Sequence, residues 1–396
     1  MHTTLPVPIR QAGDRQGISM TTHVTIIGAG LGGLTLARVL HVNGIPATVY
    51  EADASPAARA QGGMLDIHDY NGQLAVRAAG LMEEFRSIVL EGRQALRVLD
   101  REGNVMLDQP DDGTGGRPEV QRGELRQMLL DSLPDGTVRW GHKAESVRAL
   151  GGGRHEVTFA DGTTVVASVL VGADGAWSRV RPMVSDAVSE YTGTAFVEAH
   201  LFDAETRHPA AAKTVGGGSM FALEAGEKML GAQREQGETL HAYAMLSKPQ
   251  EWFAAVDFTD TAAAAARIAR EFDGWAPELT GLITATDTAL VLRPHHTLPV
   301  GHRWERVPGV TLVGDAAHLI PPNGEGANLA MLDGAELGEA LAAYPGDTEA
   351  ALGAYELTMF PRSAEMGKAE ADVPDHPTIE DVIDFFTGQE PSVQEG

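Results

Sequence analysis

The chain has 396 residues, of which 55 are acidic and 30 are basic, so its formal net charge is -25. This charge repels phosphate backbones and anionic lipids, which argues against nucleic acid or a membrane surface as a partner. The sequence contains no cysteine, so disulfides, thiol nucleophiles and thiolate metal sites are excluded, and any redox chemistry must belong to a bound cofactor.

Residues 1–19 are polar with scattered prolines and lack the apolar centre of a secretory signal, which predicts a flexible leader. Elsewhere, no apolar run approaches the roughly 18 residues that a membrane-spanning helix needs. We therefore expect a cytoplasmic protein, and we take a monomer as the default state.

The first folded elements predict a βαβ unit. Residues 23–27 are a short apolar run typical of a buried parallel strand, and residues 31–40 carry apolar side chains at helical spacing. Asn43-Gly44 ends this helix, and residues 47–50 predict a second buried strand that stops at Glu51.

The middle of the chain predicts strands of two kinds. A helix at 122–133 precedes runs at 145–150, 155–159 and 165–171, which indicate a β-meander that returns to the parallel sheet. After Arg181, alternating runs predict an antiparallel sheet at 194–201, 219–223, 228–233 and 239–246. The remaining elements are helices at 262–272, 329–343, 352–370 and 378–386, and a strand at 310–313.

A glycine-rich turn joins the first strand to the first helix. In Gly28-Ala-Gly-Leu-Gly-Gly33, Gly28 permits a tight turn, Gly30 lets backbone approach a pyrophosphate, and Gly33 allows close helix packing. Glu51 can accept both ribose hydroxyls, and its carboxylate disfavours a 2′-phosphate. The pattern predicts a dinucleotide pocket and leaves NAD and FAD open.

A second nucleotide signal lies at residues 310–328. A short buried strand ends at Gly314-Asp315, and a glycine-flanked helix start follows at Gly324-Glu-Gly326. This arrangement suits a cofactor at the carboxyl end of a strand, with an acid for a hydroxyl and a helix N-terminus for partial negative charge. A simple NAD dehydrogenase does not need this second motif.

Together with Gly172-Ala-Asp-Gly175, Ser178 and Arg181, these motifs resemble the single-component FAD-dependent aromatic hydroxylases. Three further motifs are similar to the tetracycline-inactivating flavin monooxygenases, namely Gly62 to His68, Arg122 to Leu125 and Glu190 to Gly193. The resemblance covers roughly residues 22–386. It implies an α/β fold with a Rossmann-like FAD domain built on a parallel sheet, an inserted antiparallel-sheet substrate domain and a C-terminal bridging helix.

From the resemblance we expect the following domain boundaries. The FAD-binding domain comprises 20–81, 112–185 and 275–357, the substrate-binding domain comprises 82–111 and 186–274, and C-terminal helices occupy 358–396.

The resemblance also implies the chemistry. FAD is the cofactor, NAD(P)H is a transient cosubstrate, and dioxygen reacts with reduced flavin to give a C4a-hydroperoxide. That species hydroxylates a planar phenolic or enolic polycyclic substrate, such as a tetracycline. Because the flavin carries the reaction, we assign no catalytic side chain and no metal.

Individual cofactor contacts are carried over in the same way. Glu51 would hold the adenosine ribose, Arg122 would lie beside the flavin, and Asp315 would bind the ribityl hydroxyls. Residues 324–328 would present backbone N–H groups to the pyrimidine edge of the flavin. The full predicted set is Gly28, Gly30, Gly33, Glu51, Arg59, Asp66, Arg122, Asp174, Asp315, Gly324, Gly326, Ala327 and Asn328. Asp174 is equally compatible with a purely structural Asp-Gly turn.

The substrate contacts depart from the family pattern. We align Glu198, Ser219 and Glu224 where tetracycline-modifying members have Gln, Arg and His, so the substrate need not transfer. Glu325 replaces a glutamine, and it either steers substrate or faces solvent. The predicted substrate residues are Glu198, Phe221, Glu224, Tyr243, Pro322 and Glu325, with Phe196 and Met229 as further members of an aromatic floor.

Two histidine motifs are interpreted as structural. His318 follows two alanines in a helix-turn context, and the adjacent pair His295-His296 should point to opposite sides of a strand. Two other functions stay open at this point. One is a flavin dehydrogenase or reductase that inserts no oxygen, and the other is a non-catalytic flavoprotein that sequesters a planar ligand.

Overall fold

The computed structural model describes residues 22–58, 62–111, 113, 116–224, 228–371 and 378–387. The predicted leader and Arg59 lie outside the described residues. Within these ranges, no helix has both the length and the apolar character that crossing a bilayer requires.

The strands run in chain order from the first buried run to the segment before Gly314. They are β1 Val24–Ile27, β2 Ala47–Tyr50, β3 Met64–Asp66, β4 Leu96–Asp100, β5 Val105–Gln109, β6 Glu119–Gln121, β7 Val138–Arg139, β8 Ala144–Gly151, β9 Arg154–Phe159, β10 Thr164–Ala167, β11 Val169–Gly172, β12 Glu190–Leu201, β13 Ser219–Leu223, β14 Lys228–Arg234, β15 Leu240–Ser247, β16 Val291–Thr297 and β17 Val310–Leu312.

The helices follow the same order. They are α1 Leu31–Val42, α2 Gly72–Ala78, α3 Met82–Ile88, α4 Arg122–Asp131, α5 Ala204–Arg207, α6 Pro209–Val215, α7 Gln250–Ala254, α8 Thr261–Ala269, α9 Pro277–Thr284, α10 Asp315–His318, α11 Gly326–Ala343, α12 Thr348–Ala371 and α13 Ile379–Thr387.

A five-stranded parallel sheet has the order β17-β11-β1-β2-β7. Strands β1, β11 and β17 are buried along their whole length, as expected for strands covered on both faces. The predicted βαβ unit is therefore present. The predicted strand at 165–171 is instead two strands, because β10 pairs with β9 in a three-stranded antiparallel sheet while β11 enters the parallel sheet.

A seven-stranded sheet has the order β16-β12-β15-β14-β13-β4-β5. Neighbouring strands are antiparallel except for β13 and β4, which are parallel. One face carries small apolar side chains such as Ala195, Val197 and Ala199 and packs on α8 and α9 to form a second core. The alternate residues Phe196, Glu198 and His200 lie on the other face because side chains alternate along a strand.

The packing of four elements bears on the predicted domain boundaries. Helix α9 and strand β16 belong to the seven-stranded sheet and its core, although the boundary at residue 275 assigned them to the FAD domain. Phe85 of α3 belongs to the first core, although residues 82–111 were assigned to the substrate domain. The boundary at residue 358 falls inside α12, which is one continuous helix. The division into domains itself stays a prediction.

Helices α1 and α11 cross at very short range. A Cβ atom at Gly334 would lie 2.3 Å from the backbone oxygen of Gly32, and a Cβ atom at Gly32 would lie 2.7 Å from the backbone oxygen of Ala330. Larger residues would push the helices apart. The contact fixes the N-terminus of α11 beside the turn that follows β1.

Candidate functional site

A cavity of about 1050 Å³ opens at the carboxyl edge of the parallel sheet. Strands β1, β2, β11 and β17 all end there, so their following loops converge, as they do at ligand sites of parallel α/β sheets. The cavity is lined by predicted cofactor and substrate residues from the loops after these strands and from the start of α4, namely Gly28, Gly30, Gly33, Glu51, Arg122, Asp174, Asp315, Pro322, Gly324, Gly326 and Ala327.

The glycine turn after β1 has the geometry that its three glycines predict. Gly28 has a φ of +108°, and a Cβ atom there would lie 2.2 Å from the backbone oxygen of Ala173. A Cβ atom at Gly33 would lie 2.2 Å from the backbone oxygen of Gly28. At Gly30 a Cβ atom would meet nothing within 4 Å. Gly28 and Gly33 therefore close the turn, while Gly30 leaves room at the cavity wall.

Glu51 is buried and its carboxylate is fixed by backbone. One oxygen accepts a 2.6 Å hydrogen bond from the Ala29 N–H, and the other accepts a 2.9 Å bond from the Asp53 N–H. Each carboxylate oxygen has a second lone pair that can accept another hydrogen bond. The side chain can therefore receive hydroxyl donors from a ligand in the cavity without rearrangement.

Asp315 follows β17 and is exposed toward the cavity. Its position depends on buried Arg181, whose guanidinium donates to the backbone oxygens of Ala316, Asp315 and Ala176. Arg181 thus ties the loop after β11 to the loop after β17. Ser178 and Arg181 therefore have a structural role, in which they hold together two loops that line the cavity.

Asp174 lines the cavity, but its carboxylate is used locally. One oxygen accepts a 2.5 Å bond from the Ser178 hydroxyl, and the other accepts a 2.7 Å bond from the Arg179 N–H. Of the two interpretations left open by the sequence, the contacts of this side chain favour the structural turn.

The N-terminus of α11 faces the cavity through Gly324, Gly326 and Ala327. Asn328 does not line the cavity, and its side chain is fully buried. Its amide donates to the Asp66 carbonyl, and its side-chain oxygen accepts from the His68 N–H, so it joins α11 to the segment after β3. Asp66 is also absent from the cavity wall. The predicted flavin contacts of these two residues stay a prediction, while the contacts that the structure shows join α11 to β3.

Glu325 is buried, so the expectation of a solvent-facing carboxylate is wrong. Its oxygens accept hydrogen bonds from the Tyr70 hydroxyl at 2.5 Å and the Asn71 amide at 2.7 Å, and one oxygen lies 3.1 Å from Nδ1 of His68. On the other side of the His68 ring, Nε2 lies 2.9 Å from the Asp66 carboxylate. A buried histidine therefore bridges two carboxylates at the base of α11.

These contacts control the protonation of His68. Burial alone would lower its pKa, but hydrogen bonds and charge from Asp66 and Glu325 outweigh burial and raise the pKa to about 9. The pKa of Glu325 is lowered, because the contacts with His68, Tyr70 and Asn71 outweigh its burial. The cluster is thus an ion pair at neutral pH.

Glu325→Gln should change how stability depends on pH. A raised histidine pKa stabilises the fold fully below the unfolded value of about 6.5, and this contribution is lost as pH rises through about 9. Glutamine removes part of the charge that holds this proton while keeping a similar shape. We expect the variant to be less stable by about 1–3 kcal/mol at pH 6.5, and the difference to shrink at pH 10.

The measurement is urea unfolding at both pH values. Glu119, whose pKa is raised to about 8 and is influenced by the charge of His68, also titrates between these two pH values in both proteins. An equal deficit at both pH values would mean that His68 does not carry the effect.

Glu119 was not singled out by the sequence. It is buried on β6 opposite Asp66 of β3, and its Oε2 has no hydrogen-bond partner among the residues that the structure describes. Burial is the main cause of its raised pKa, followed by the charge of Asp66. Buried Val120 lies in the first core, so Glu119 lies on the opposite face of the strand.

The open face of the seven-stranded sheet adjoins the cavity. The ring of Phe196 lies 5.0 Å from the ring of Tyr243 and 4.3 Å from the ring of His295, measured between centroids. His295 and His296 both line the cavity. A Cβ atom at Gly231 would lie 2.3 Å from the Tyr243 ring, so this glycine lets the ring lie flat over β14. Phe221 pairs with Gly231 on the next strand.

The two predicted substrate carboxylates have protein partners. Glu198 lies on the open face and accepts a 3.0 Å hydrogen bond from Arg293. Glu224 contacts Arg101 at 2.5 Å and the Trp275 ring N–H at 3.2 Å, and none of these three residues lines the cavity. The carboxylate of Glu224 therefore belongs to an ion-pair cluster, and its predicted substrate contact stays a prediction.

Several residues that line the cavity were not predicted as site residues from the sequence. Lys143, Arg179, Trp177 and His142 all line it. Trp177 and Arg179 lie within the segment from Gly172 to Arg181, where the motif gave them no role, and His142 and Lys143 lie in the loop after β7 without a motif. The pair His295-His296 was judged by strand alternation alone, which could not show that both residues border the cavity.

Comparison with known proteins identifies this architecture. Residues 21–366 match the family model described as the FAD binding domain. A monooxygenase of Penicillium thymicola, penA, is 30% identical over an alignment 366 positions long that covers 80% of this chain and 84% of that protein. Klebsiella pneumoniae HpxO, crystallised with FAD and uric acid, has a TM-score of 0.77 and 23% identity, with 94% of each chain covered. Tetracycline destructase Tet(51) has a TM-score of 0.69 and 18% identity, covering 93% of this chain and 95% of that one.

The chain belongs to the FAD-binding family of FAD-dependent monooxygenases. The predicted family, α/β fold and FAD cofactor are confirmed. The resemblance to Tet(51) extends to the fold, and its substrate is a property of that protein.

Gly30→Val should weaken FAD binding without destabilising the protein. Gly30 has a φ of -76°, which any residue adopts, and its Cβ position is open toward the cavity. The valine side chain would occupy space that the backbone leaves for the cofactor, so we expect at least a tenfold rise in Kd, or about 1.4 kcal/mol.

Flavin fluorescence titration of the apoprotein measures this change. Gly353→Val is the matched control, since a Cβ atom there also meets nothing within 4 Å and the residue lies in α12 outside the cavity wall. Equal FAD affinity in Gly30→Val and wild type would contradict the assignment of this wall.

Proposed function

We propose that the chain hydroxylates a planar phenolic or enolic polycyclic compound, with FAD as cofactor and NAD(P)H and dioxygen as cosubstrates. The observation that carries the proposal is the continuity of the glycine-lined cavity with an aromatic sheet face through His295. Such a space can hold a dinucleotide on one side and a flat ring system on the other. The relatives that are named monooxygenases support the same class.

FAD, when bound, supplies the redox chemistry that transfers one atom of dioxygen to the substrate. The chain binds and orients it. We assign Gly30 to the pyrophosphate, Glu51 to the adenosine ribose, Asp315 to the ribityl hydroxyls, and Arg122 to the vicinity of the flavin ring. The N-terminus of α11 faces the cavity, and its positive partial charge would stabilise negative charge on the pyrimidine edge of a flavin ring bound beside it.

The substrate side would be formed by the open face of the seven-stranded sheet. Phe196 and Tyr243 offer ring surfaces, and Pro322 contributes to the cavity wall. His295 is neutral at pH 7 because burial, followed by the charge of His296, lowers its pKa to about 4. Its Nδ1 lies 3.2 Å from the Thr194 hydroxyl, and Nε2 has no hydrogen-bond partner within the described parts of the chain. A neutral imidazole can exchange a hydrogen bond with a phenol or enol hydroxyl.

Tetracyclines are one candidate within this substrate class. The fold supports that choice, but Glu198 is paired with Arg293 and Glu224 lies away from the cavity wall. The polar contacts expected of tetracycline-modifying relatives are therefore not reproduced residue by residue. The substrate test should extend to other phenolic polyketides.

The deciding experiment mixes FAD-loaded protein with NADPH or NADH, ¹⁸O₂ and a substrate panel of tetracyclines and phenolic polyketides. We expect one compound to accelerate nicotinamide oxidation and to gain one labelled oxygen atom. Product without label, but with two hydrogens fewer or more, would establish the dehydrogenase or reductase alternative. Quenching of flavin fluorescence without faster nicotinamide oxidation across the panel would establish ligand sequestration instead.

A further inference from the structure

A cluster of three potential metal ligands lies on the open face of the seven-stranded sheet. His200 of β12 and His241 of β15 are directly paired across adjacent antiparallel strands, and Glu235 follows the end of β14. One ligand atom from each of the three side chains lies within 4.8 Å of the others. None of them takes part in the flavin-side contacts described above.

The backbone places Glu235 firmly. Its N–H donates to the Thr239 carbonyl at 2.9 Å, which closes the turn between β14 and β15. The Gly63 N–H donates to its carboxylate, which anchors the turn to the segment before β3. One carboxylate oxygen is thereby held, and the other is directed at the histidines.

Two of the three side chains are buried and pair with each other only loosely. Glu235 is 9% exposed and His241 is 8% exposed. Oε1 of Glu235 and Nδ1 of His241 lie 3.4 Å apart as an ion pair without good hydrogen-bond geometry, and Nε2 of His241 has no hydrogen-bond partner within the part of the chain that the structure describes. Leaving such groups unsatisfied costs about 1–3 kcal/mol each, so an occupant that satisfies them would be stabilising.

The distances suit a small cation. In tetrahedral zinc sites, bonds of about 2.0–2.1 Å place neighbouring ligand atoms about 3.3 Å apart. Oε1 of Glu235 lies 3.4 Å from Nδ1 of His241. The His200 ring is half-buried and stacked on His241 at 4.4 Å between centroids, and its ligand nitrogen lies within 4.8 Å of the other two ligand atoms, so metal binding requires it to move closer.

We propose that His200, Glu235 and His241 bind a divalent transition-metal ion of the Zn²⁺ class. Two imidazoles and one carboxylate form the ligand set of three-residue zinc sites, in which a fourth position stays open. Imidazole nitrogen favours such ions over Mg²⁺ and Ca²⁺, which prefer oxygen ligands. The site is independent of the proposed hydroxylation, and its test uses no activity measurement.

The test is a calorimetric titration of Zn²⁺ into FAD-loaded, EDTA-treated full-length protein from which any affinity tag has been removed. We expect one equivalent to bind with micromolar or tighter affinity, and Mg²⁺ in large excess not to compete. Co²⁺ should bind at the same stoichiometry with the visible d–d absorption of a four-coordinate ion. These spectra report ligand geometry directly.

His241→Asn and the isosteric Glu235→Gln should each weaken Zn²⁺ binding by at least about tenfold. His41→Asn is the control, because His41 is an exposed histidine at the end of α1, far along the chain from the cluster. FAD content and the thermal midpoint of each variant show whether it has folded.

The proposal is overturned if the wild type binds no Zn²⁺ below the millimolar range, or if both cluster variants bind it as tightly as the wild type. In either case Glu235 and His241 would form an ion pair only. A failure of hydroxylation with intact Zn²⁺ binding would overturn the proposed function and leave the metal site standing.

Discussion

Asp333→Asn should lower the free energy of unfolding by about 3–5 kcal/mol, the cost typical of breaking a buried ion pair by removing one charge. Asp333 is fully buried on α11. Its carboxylate accepts hydrogen bonds from His318 Nε2 at 2.5 Å, the Gly314 N–H at 2.8 Å and Arg362 at 2.7 Å. One carboxylate therefore joins α10, α11, α12 and the turn after β17.

An asparagine has one acceptor oxygen and an NH₂ group that can only donate. It cannot satisfy three donors, so at least one of them, or the charge of Arg362, would be left buried without compensation. The loss should appear as a lower urea midpoint with an unchanged m-value, measured on the apoproteins so that a difference in FAD affinity does not enter the comparison.

Glu336→Gln is the matched control for this network. Glu336 contacts the same arginine at 2.7 Å, but its side chain is 25% exposed. Partly exposed ion pairs contribute little, so we expect a change of about 0–1 kcal/mol. A loss of less than about 1 kcal/mol in Asp333→Asn would show that His318 and Arg362 find other partners. The stabilising role assigned to Asp333 would then be rejected.

The sequence predicts the nucleotide-binding half of the fold well, for a physical reason. Strands β1, β2 and β17 are short apolar runs followed by glycine or an acid, and the helices after them have regular apolar spacing. Because buried parallel strands carry their signal within four or five residues, local patterns suffice. The positions of Gly28, Gly33 and Glu51 follow from the same local sequence pattern of a short strand, a glycine turn and a helix.

Long-range pairing was not predictable in this way. Strands β4 and β5 complete the seven-stranded sheet, with β4 parallel to β13 from a distant part of the chain. Strand β16 contains Pro294 and two histidines, which weaken a strand prediction, yet β16 is an edge strand where proline is tolerated. The local sequence of these segments does not indicate which strand each of them pairs with.

At the site, the sequence did not show in which direction the side chains point. Asn328 and Glu325 flank the predicted backbone contacts of α11, but both side chains turn toward β3 and the segment after it, where buried polar groups need partners. A motif in the sequence gives the position of a residue along the chain, but it does not show which neighbouring group forms hydrogen bonds with its side chain. His68, the shared partner, was quoted as part of a motif without a role.

The cluster of His200, Glu235 and His241 illustrates a signal that was present but unused. Residues 194–201 and 239–246 were both predicted as strands of one antiparallel sheet. Once Leu201 is paired with Leu240, His200 necessarily faces His241. Cross-strand register, rather than the spacing along the chain on which metal motifs depend, brings these ligands together.

Asp315→Ala should purify largely without FAD. Asp315 follows β17 and lies exposed at the cavity wall. Its backbone oxygen accepts a hydrogen bond from Arg181. Hydrogen bonds from ligand hydroxyls to a carboxylate contribute about 1.5–3 kcal/mol, so their loss should raise the Kd for FAD by roughly 10- to 150-fold. The ratio of flavin absorbance to protein absorbance in the purified protein measures the occupancy.

Two further variants separate a binding role from a folding role. Asp315→Asn keeps an acceptor oxygen and should retain more FAD than the alanine variant, while Asp186→Ala, an exposed acid outside the cavity wall, should retain FAD fully. Because α10 is anchored through His318 and Arg181 rather than through the Asp315 side chain, the Asp315→Ala apoprotein should keep the thermal midpoint of the wild-type apoprotein. Full flavin occupancy in Asp315→Ala would remove Asp315 from the cofactor site and leave the α11 N-terminus and the glycine turn as its principal contacts.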